Sequence, residues 1–386
     1  MNVQSSDLKF WVAFARVPQI GHVRMRLIEA RFDSLGAAWS ASVSDLRAAG
    51  LDQKASESIA TKRSLIDPDG EMEALERKGV TALTWHDPTY PPLLAEIYNP
   101  PPVIFVLGSI TPQDAHSVTV VGSRKATTYG REVAEILSKD LARNGVTVVS
   151  GLARGIDAIA HRASLDADGR TIAVTASGLD LVYPSEHRKL SEEIAERGAL
   201  ISEYPLGTRP VAQNFPRRNR ILSGLSLGTL VVEATKQSGT IWTVRHALEQ
   251  DREVFAVPGS IFSPASVGTN HLIQEGAKLV TSVEEILQEL NFTVLGQQLL
   301  RLPEEGKAQQ QLPGLALTGT SETETELLKL LSHEPIHVDD IARNSGLPMS
   351  SVNTALTLLE LRGIVREVGS RSFVVIREPA STYGSS

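Results

Sequence analysis

Six short apolar runs, recurring between residue 117 and about 290 with helix-length segments between them, constrain this chain more than any other feature. They cover 118–121, 146–149, 172–175, 200–201, 229–232 and 254–257 and are built mainly from Val, Ile and Leu. Near-continuous apolar strands are buried on both faces, and the helices between them must cross back over the sheet. The pattern predicts an α/β fold with an extended Rossmann-like, doubly wound parallel sheet. Ligands of such sheets bind beyond the carboxyl ends of the strands, so function is expected in the loops that follow each run.

Those loops carry a consistent chemistry. Gly122, Ser123 and Arg124 follow the first run and precede a helix that begins near Tyr129. A glycine turn at a helix N-terminus exposes backbone amides, and the hydroxyl and guanidinium add donors suited to phosphate. Neither G-x-G-x-x-G nor a Walker G-K-[ST] is present, so the standard dinucleotide and nucleoside-triphosphate fingerprints are absent. Gly151, Arg154 and Gly155 form the second loop, where Asp157 reads as a cap or brace. Gly178 and Gly207 follow the next two runs, and Ser238, Gly239 and Thr240 open a further helix with Lys236 beside it.

The most informative stretch is 204–232, which holds Arg209, Arg217, Arg218 and Arg220 and no acidic residue. It lies in a chain with 38 Lys and Arg against 45 Asp and Glu, a net charge of −7. Phe215 comes just before Arg217, Arg218, Asn219 and Arg220. Arginines beside an aromatic suit single-stranded nucleic acid, which offers phosphates and stackable bases. A solvated charge run is the other reading of such a cluster. Several glycine loops along one sheet edge describe a groove for a polymer better than a closed metabolite pocket.

Catalysis has little support. The chain has no Cys, which excludes a disulfide scaffold, a thiolate zinc site, an iron–sulfur cluster and a thiol nucleophile. Its nine His lack metal-ligand spacing, and no G-x-S-x-G elbow occurs. No catalytic residue, metal or cofactor is expected. No run approaches the ~18 apolar residues of a spanning helix, and the first residues lack a signal-peptide pattern. The expected location is the cytoplasm, with no membrane partner.

The flanks differ in texture. Residues 1–75 read as short helices with turns at Gly21 and Gly50, 76–292 as the sheet domain, and 293–320 as a Gln-, Pro- and Gly-containing linker. Within the sheet domain, a Pro-rich passage over 85–102 leads into a further strand over 103–107. Residues 321–378 read as three helices and a hairpin, a winged-helix arrangement, followed by a tail over 379–386. Its expected recognition helix, 349–361, has no Lys or Arg, and 320–378 holds six basic against nine acidic residues. Duplex binding relies on phosphate neutralisation, so this module is expected to contact protein or to bind DNA weakly.

Taken together, Gly122 to Arg124, Ser150 to Asp157, Ser177 to Asp180 with Tyr183 and Pro184, Ser202 to Gly207, Asn214 to Arg220, Gly239 with Thr240, and Val257 to Ser260 resemble the DprA (Smf) family of DNA-processing proteins. The resemblance covers essentially the whole chain and is strongest from Val118 to about Val280. It implies a homodimer that binds single-stranded DNA, protects it during natural transformation and loads the RecA recombinase onto it without catalysis. It also implies that Arg124, Phe215 and the stretch from Arg217 to Arg220 touch the DNA, and that the loops at Gly151, Gly178, Gly207 and Gly239 admit the strand. The helical N-terminal region resembles the family's SAM-like or helix-hairpin-helix module. Two departures stand out: Ala212 and Gln213 sit where a basic residue is expected, and the hairpin at Ile20 and Gly21 lacks a second glycine.

The alternative is a nucleoside monophosphate phosphoribohydrolase on a similar sheet. Gly239 and Thr240 are reminiscent of its P-G-G-x-G-T-x-x-E loop, but Thr243 stands where its glutamate belongs.

Overall fold

The computed structural model describes residues 7–236 and 238–290 and, toward the end of the chain, 327, 328, 330, 331, 336–347, 349, 352, 355, 356, 359, 365–367 and 372–375. The chain divides into two compact units, 1–303 and 304–386. The linker expected over 293–320 and the tail over 379–386 lie outside the described residues.

The first unit opens with six helices: α1 (Leu8–Ala15), α2 (His22–Arg31), α3 (Leu35–Ser40), α4 (Val43–Ala48), α5 (Gln53–Lys62) and α6 (Pro68–Arg77). Ser34, Ser42 and Asp52 cap α3, α4 and α5 by accepting backbone N–H bonds. The helices do not stand apart from the sheet. Trp11, Phe14, Met25 and Ile59 belong to the same buried cluster as Val80, Phe105, Leu152 and Leu200, so the helical region and the first strands share one core.

The sheet has nine strands: β1 (Val80–Thr84), β2 (Val103–Gly108), β3 (Ser117–Val121), β4 (Thr147–Ser150), β5 (Thr171–Val174), β6 (Ala199–Ser202), β7 (Gly228–Val231), β8 (Glu253–Ala256) and β9 (Lys278–Leu279). Their order is β1-β2-β6-β5-β4-β3-β7-β8-β9. The seven strands from β6 to β9 run parallel, while β1 and β2 add an antiparallel margin. The six apolar runs are β3 to β8, within one residue at each end, and the strand after the Pro-rich passage is β2. The sequence pattern missed β1 and β9. β1 alternates buried and partly exposed positions at the sheet margin, and β9 is two residues long.

A short helix α7 (Pro92–Ala95) follows β1, and α8 (Thr128–Arg143), α9 (Ile156–Asp166), α10 (Arg188–Arg197), α11 (Asn214–Gly224), α12 (Thr240–Glu249), α13 (Val267–Gln274) and α14 (Val283–Glu289) connect and follow the parallel strands. One apolar layer packs α8, α9 and α14 side chains against β3, β4, β7 and β8. Another places α11 and α12 residues with β5 to β8. The sheet is therefore covered on both faces, as its apolar strands require.

In the second unit the helix Val338–Ser345 ends at Gly346 in the left-handed region, φ 68°. The strands Val365–Glu367 and Ser372–Val375 pair antiparallel, with Ile336–His337 added at the other side. Leu327, Ile341, Val352, Leu356 and Leu359 are buried together. These parts match the expected helices and hairpin of a winged-helix module; of the expected helix over 349–361 only 349, 352, 355, 356 and 359 are described.

One buried group makes stability depend on pH. His161 on α9 is fully buried. Thr171 spends its hydroxyl proton on the Val148 carbonyl, so His161 Nδ1 donates to Thr171 Oγ1 at 2.7 Å and Nε2 is left with no partner. Burial, with the nearby His187 and Arg218, depresses its pKa from 6.5 to about 3. Below pH 6.5 the unfolded chain takes up a proton that the folded chain refuses, so stability falls as pH drops from 6.5 toward 3, by up to about 1.4 kcal/mol per pH unit. Urea unfolding of the wild type should lose about 2 kcal/mol more between about pH 7.5 and pH 5 than the His161→Gln variant does. Equal losses in the two proteins would remove His161 as the cause.

Candidate nucleic-acid interface

β3 and β7 are neighbours from which the chain winds in opposite directions, toward β4 on one side and β8 on the other. The loops leaving such a pair diverge and open a crevice beyond the strand ends. A cavity of about 1080 Å³ lies there. Gly122, Ser123, Arg124 and Lys125 line it from the β3 loop, and Ser238, Gly239 and Thr240 from the β7 side. α11 contributes Phe215, Arg218 and Asn219, and α12 contributes Trp242.

The floor of the cavity is held by a buried charge. Arg218 is 4% exposed, and its Nη1 donates to the Gly151 carbonyl at 2.9 Å and also to the Val174 carbonyl. α11 is thereby tied to the carboxyl ends of β4 and β5. Asp157, also buried, accepts from the Gly151 and Ala153 amides at 3.2 and 3.4 Å. Burial pulls the Arg218 pKa down to about 10 and pushes that of Asp157 up, each opposed by the charge of the other. Gly151 makes room for this: a Cβ there would stand 2.6 Å from Arg218 Nη2 and 2.8 Å from Asp157 Oδ2.

A second brace holds the mouth. Glu233, 1% exposed, accepts from the Thr127 amide at 3.0 Å and from the Thr127 hydroxyl. Gly130 leaves space for its carboxyl, which a Cβ would meet at 2.2 Å. Thr240 Oγ1 donates to the Gly122 carbonyl at 3.3 Å, and Asn219 Nδ2 to the Gly239 carbonyl at 3.4 Å. The carboxylates of Asp157 and Glu233 are thus engaged with backbone amides.

The exposed chemistry is cationic and aromatic. The Arg124 guanidinium lies 5.4 Å from the Phe215 ring centroid. Tyr183 meets the same ring edge-on at 5.7 Å. Arg124 and Lys125 are exposed and form no ion pair among the described residues. A flat ring beside free guanidinium and ammonium groups can accept a base on its face and a phosphate next to it.

The structure sorts the sequence candidates. It brings Ser123, Arg124, Phe215, Arg218, Asn219, Ser238, Gly239 and Thr240 to one cavity. Arg217 and Arg220, three residues apart on α11, face a different cavity of about 380 Å³, shared with His22, Glu203 and Tyr204. There Arg220 forms a two-pronged pair with Glu203 at 3.1 and 2.7 Å, and Arg217 is exposed. Arg154 pairs with Glu186 at 2.5 Å on the surface. Lys236 is exposed and does not line the cavity.

The glycines also divide. A Cβ at Gly155 (φ 77°) would stand 2.2 Å from the Ser123 carbonyl, and one at Gly178 would stand 2.6 Å from the Pro205 carbonyl. With Gly151, these positions are required by contacts of the protein with itself. A Cβ added at Gly207 or Gly239 would meet nothing within 4 Å, so both face open space. The sequence pattern did not single out Lys125, Tyr183 or Trp242 as ligand contacts. Lys125 sits beside the Gly122 loop, and Trp242 opens a helix at the ligand edge, which are the signals that point to them.

Comparison with known proteins agrees with this fold. The family described as DNA recombination-mediator protein A matches residues 81–291, and the DprA winged helix domain matches 311–370. Protein Smf of Synechocystis is 36% identical over 95% of this chain and 98% of its own length. The crystal structure of DNA processing protein A from Streptococcus pneumoniae superposes with a TM-score of 0.65 at 34% identity, covering 73% of this chain and 97% of that one. DNA processing protein A of Helicobacter pylori, whose structure was solved to explain its single-stranded DNA binding mode, matches with a TM-score of 0.50 at 28% identity, over 55% of this chain and 96% of that one.

The two kinds of glycine predict opposite outcomes. Gly155→Ala forces a methyl against backbone and should destabilise the protein by about 1–3 kcal/mol, whereas Gly239→Ala, at φ −58° in open space, should stay within about 0.5 kcal/mol of wild type. Thermal or urea unfolding of the two variants checks this, and equal stabilities would contradict the assignment.

Proposed function

The chain belongs to the DNA recombination-mediator protein A family, the DprA or Smf proteins, and on that premise we propose that its sheet-edge cavity binds single-stranded DNA. The observation that carries the proposal is Arg124, exposed and in no ion pair among the described residues, poised over Phe215 at the β3–β7 switch point. Phosphates lie against Arg124 and Lys125 and against the amides around Gly239, while a base stacks on Phe215. The protein protects incoming strands in natural transformation and loads RecA onto them as a homodimer; these three parts rest on family membership.

The role is non-catalytic. Asp157, which lines the cavity, and Glu233, which braces Thr127 beside it, are tied to backbone amides, and Thr243, in the place of the hydrolase glutamate, is buried. Among the described residues no cluster of His, Asp or Glu has the arrangement of a metal site, and no helix is long and apolar enough to cross a membrane. We place the protein in the cytoplasm with its DNA.

Anisotropy of a labelled dT oligonucleotide tests the reading. Wild type should bind it more tightly than duplex of equal length, with a logarithmic salt slope of about 0.7 per phosphate neutralised. Arg124→Ala should weaken binding by about tenfold or more, the scale of one charge-assisted hydrogen bond. Absence of binding, or unchanged binding by the variant, would overturn the assignment.

A further inference from the structure

Trp242 is unusual among the tryptophans of this protein. Trp11 and Trp39 are buried at 2% and 7% exposure, and Trp85 is partly buried with its indole N–H bonded to His86. Trp242 is 48% exposed and lines the switch-point cavity. It sits in the first turn of α12, whose N-terminus begins at the open Gly239. The Arg245 guanidinium, one turn on, lies 5.1 Å from its ring centroid. Arg245 is exposed and has no ion pair among the described residues.

About half of the Trp242 surface is left to solvent, and the residue belongs to none of the buried apolar clusters of the sheet. Indole has the largest stacking face of any side chain, and a guanidinium over it fixes the ring and leaves its charge available to a phosphate. The same pairing of ring and guanidinium occurs at Phe215 and Arg124 in the same cavity. The two rings come from α11 and α12, helices packed against each other.

We propose that Trp242, held by Arg245, is a second base-stacking station of the cavity, so that one strand is gripped on Phe215 and again on the first turn of α12. The inference rests on the single-strand reading above. It makes binding depend on bases as well as phosphates at this position, and it assigns Trp242 a base contact.

The test compares a dT oligonucleotide with an abasic oligonucleotide of equal length and charge, following anisotropy and intrinsic tryptophan fluorescence together. Wild type should show tryptophan quenching with dT and little with the abasic strand. Trp242→Ala should weaken dT binding roughly fivefold to a hundredfold, the range of one lost base stack, while abasic affinity and the salt slope stay unchanged. Trp242→Phe should recover most of the dT affinity. Tight dT binding without quenching, or an equal loss on both strands, would overturn the second station and leave the single-strand reading standing. Failure of wild type to bind dT at low salt would overturn both.

Discussion

The cavity exists because a guanidinium is buried beneath it. Arg218 ends at the carbonyls of Gly151 and Val174, at the carboxyl ends of β4 and β5, and Asp157 collects the amides of the turn after β4. Burying a charge is costly unless polar groups meet it, and here backbone groups meet both. The Arg218 bonds to two strand-end carbonyls therefore lock the phase of α11 against the sheet. With that phase set, Phe215 is presented to the cavity on one face of the helix, and Arg217 and Arg220 are turned to the other.

The division of labour follows from it. Charges that hold the scaffold are buried or matched: Arg218 with the Gly151 and Val174 carbonyls, Arg220 with Glu203, Glu233 with Thr127. Charges left for a ligand, Arg124, Lys125 and Arg245, are exposed and unmatched among the described residues. An acidic protein can hold a polyanion in this way, because the local field at the crevice, not the net charge of −7, is what a phosphate meets.

The sheet was legible because β3 to β8 are short apolar runs that cannot be exposed on either face, and the position of the ligand edge followed from their direction. What the sequence left ambiguous was orientation. Arg217, Arg218 and Arg220 are three equal positive charges in close succession; only the packing of α11 on α12 and on the strand ends separates the brace from the pair and from the exposed cation. The glycines show the same limit. Gly151, Gly155 and Gly178 follow strands just as Gly207 and Gly239 do, but neighbouring carbonyls and side chains, distant in sequence, decide which of them make room for the protein itself. Trp242 escaped notice because its value lies in being exposed at a helix start, which a residue pattern alone does not report.

The central claim is that single-stranded DNA occupies the β3–β7 crevice. Photo-crosslinking of an oligonucleotide carrying 4-thiothymidine, followed by peptide mapping, tests it without any substitution. The account predicts crosslinked peptides that contain Phe215 or residues 122–125. Crosslinks confined to the N-terminal helices of residues 8–77, or to residues 327–375, would contradict it.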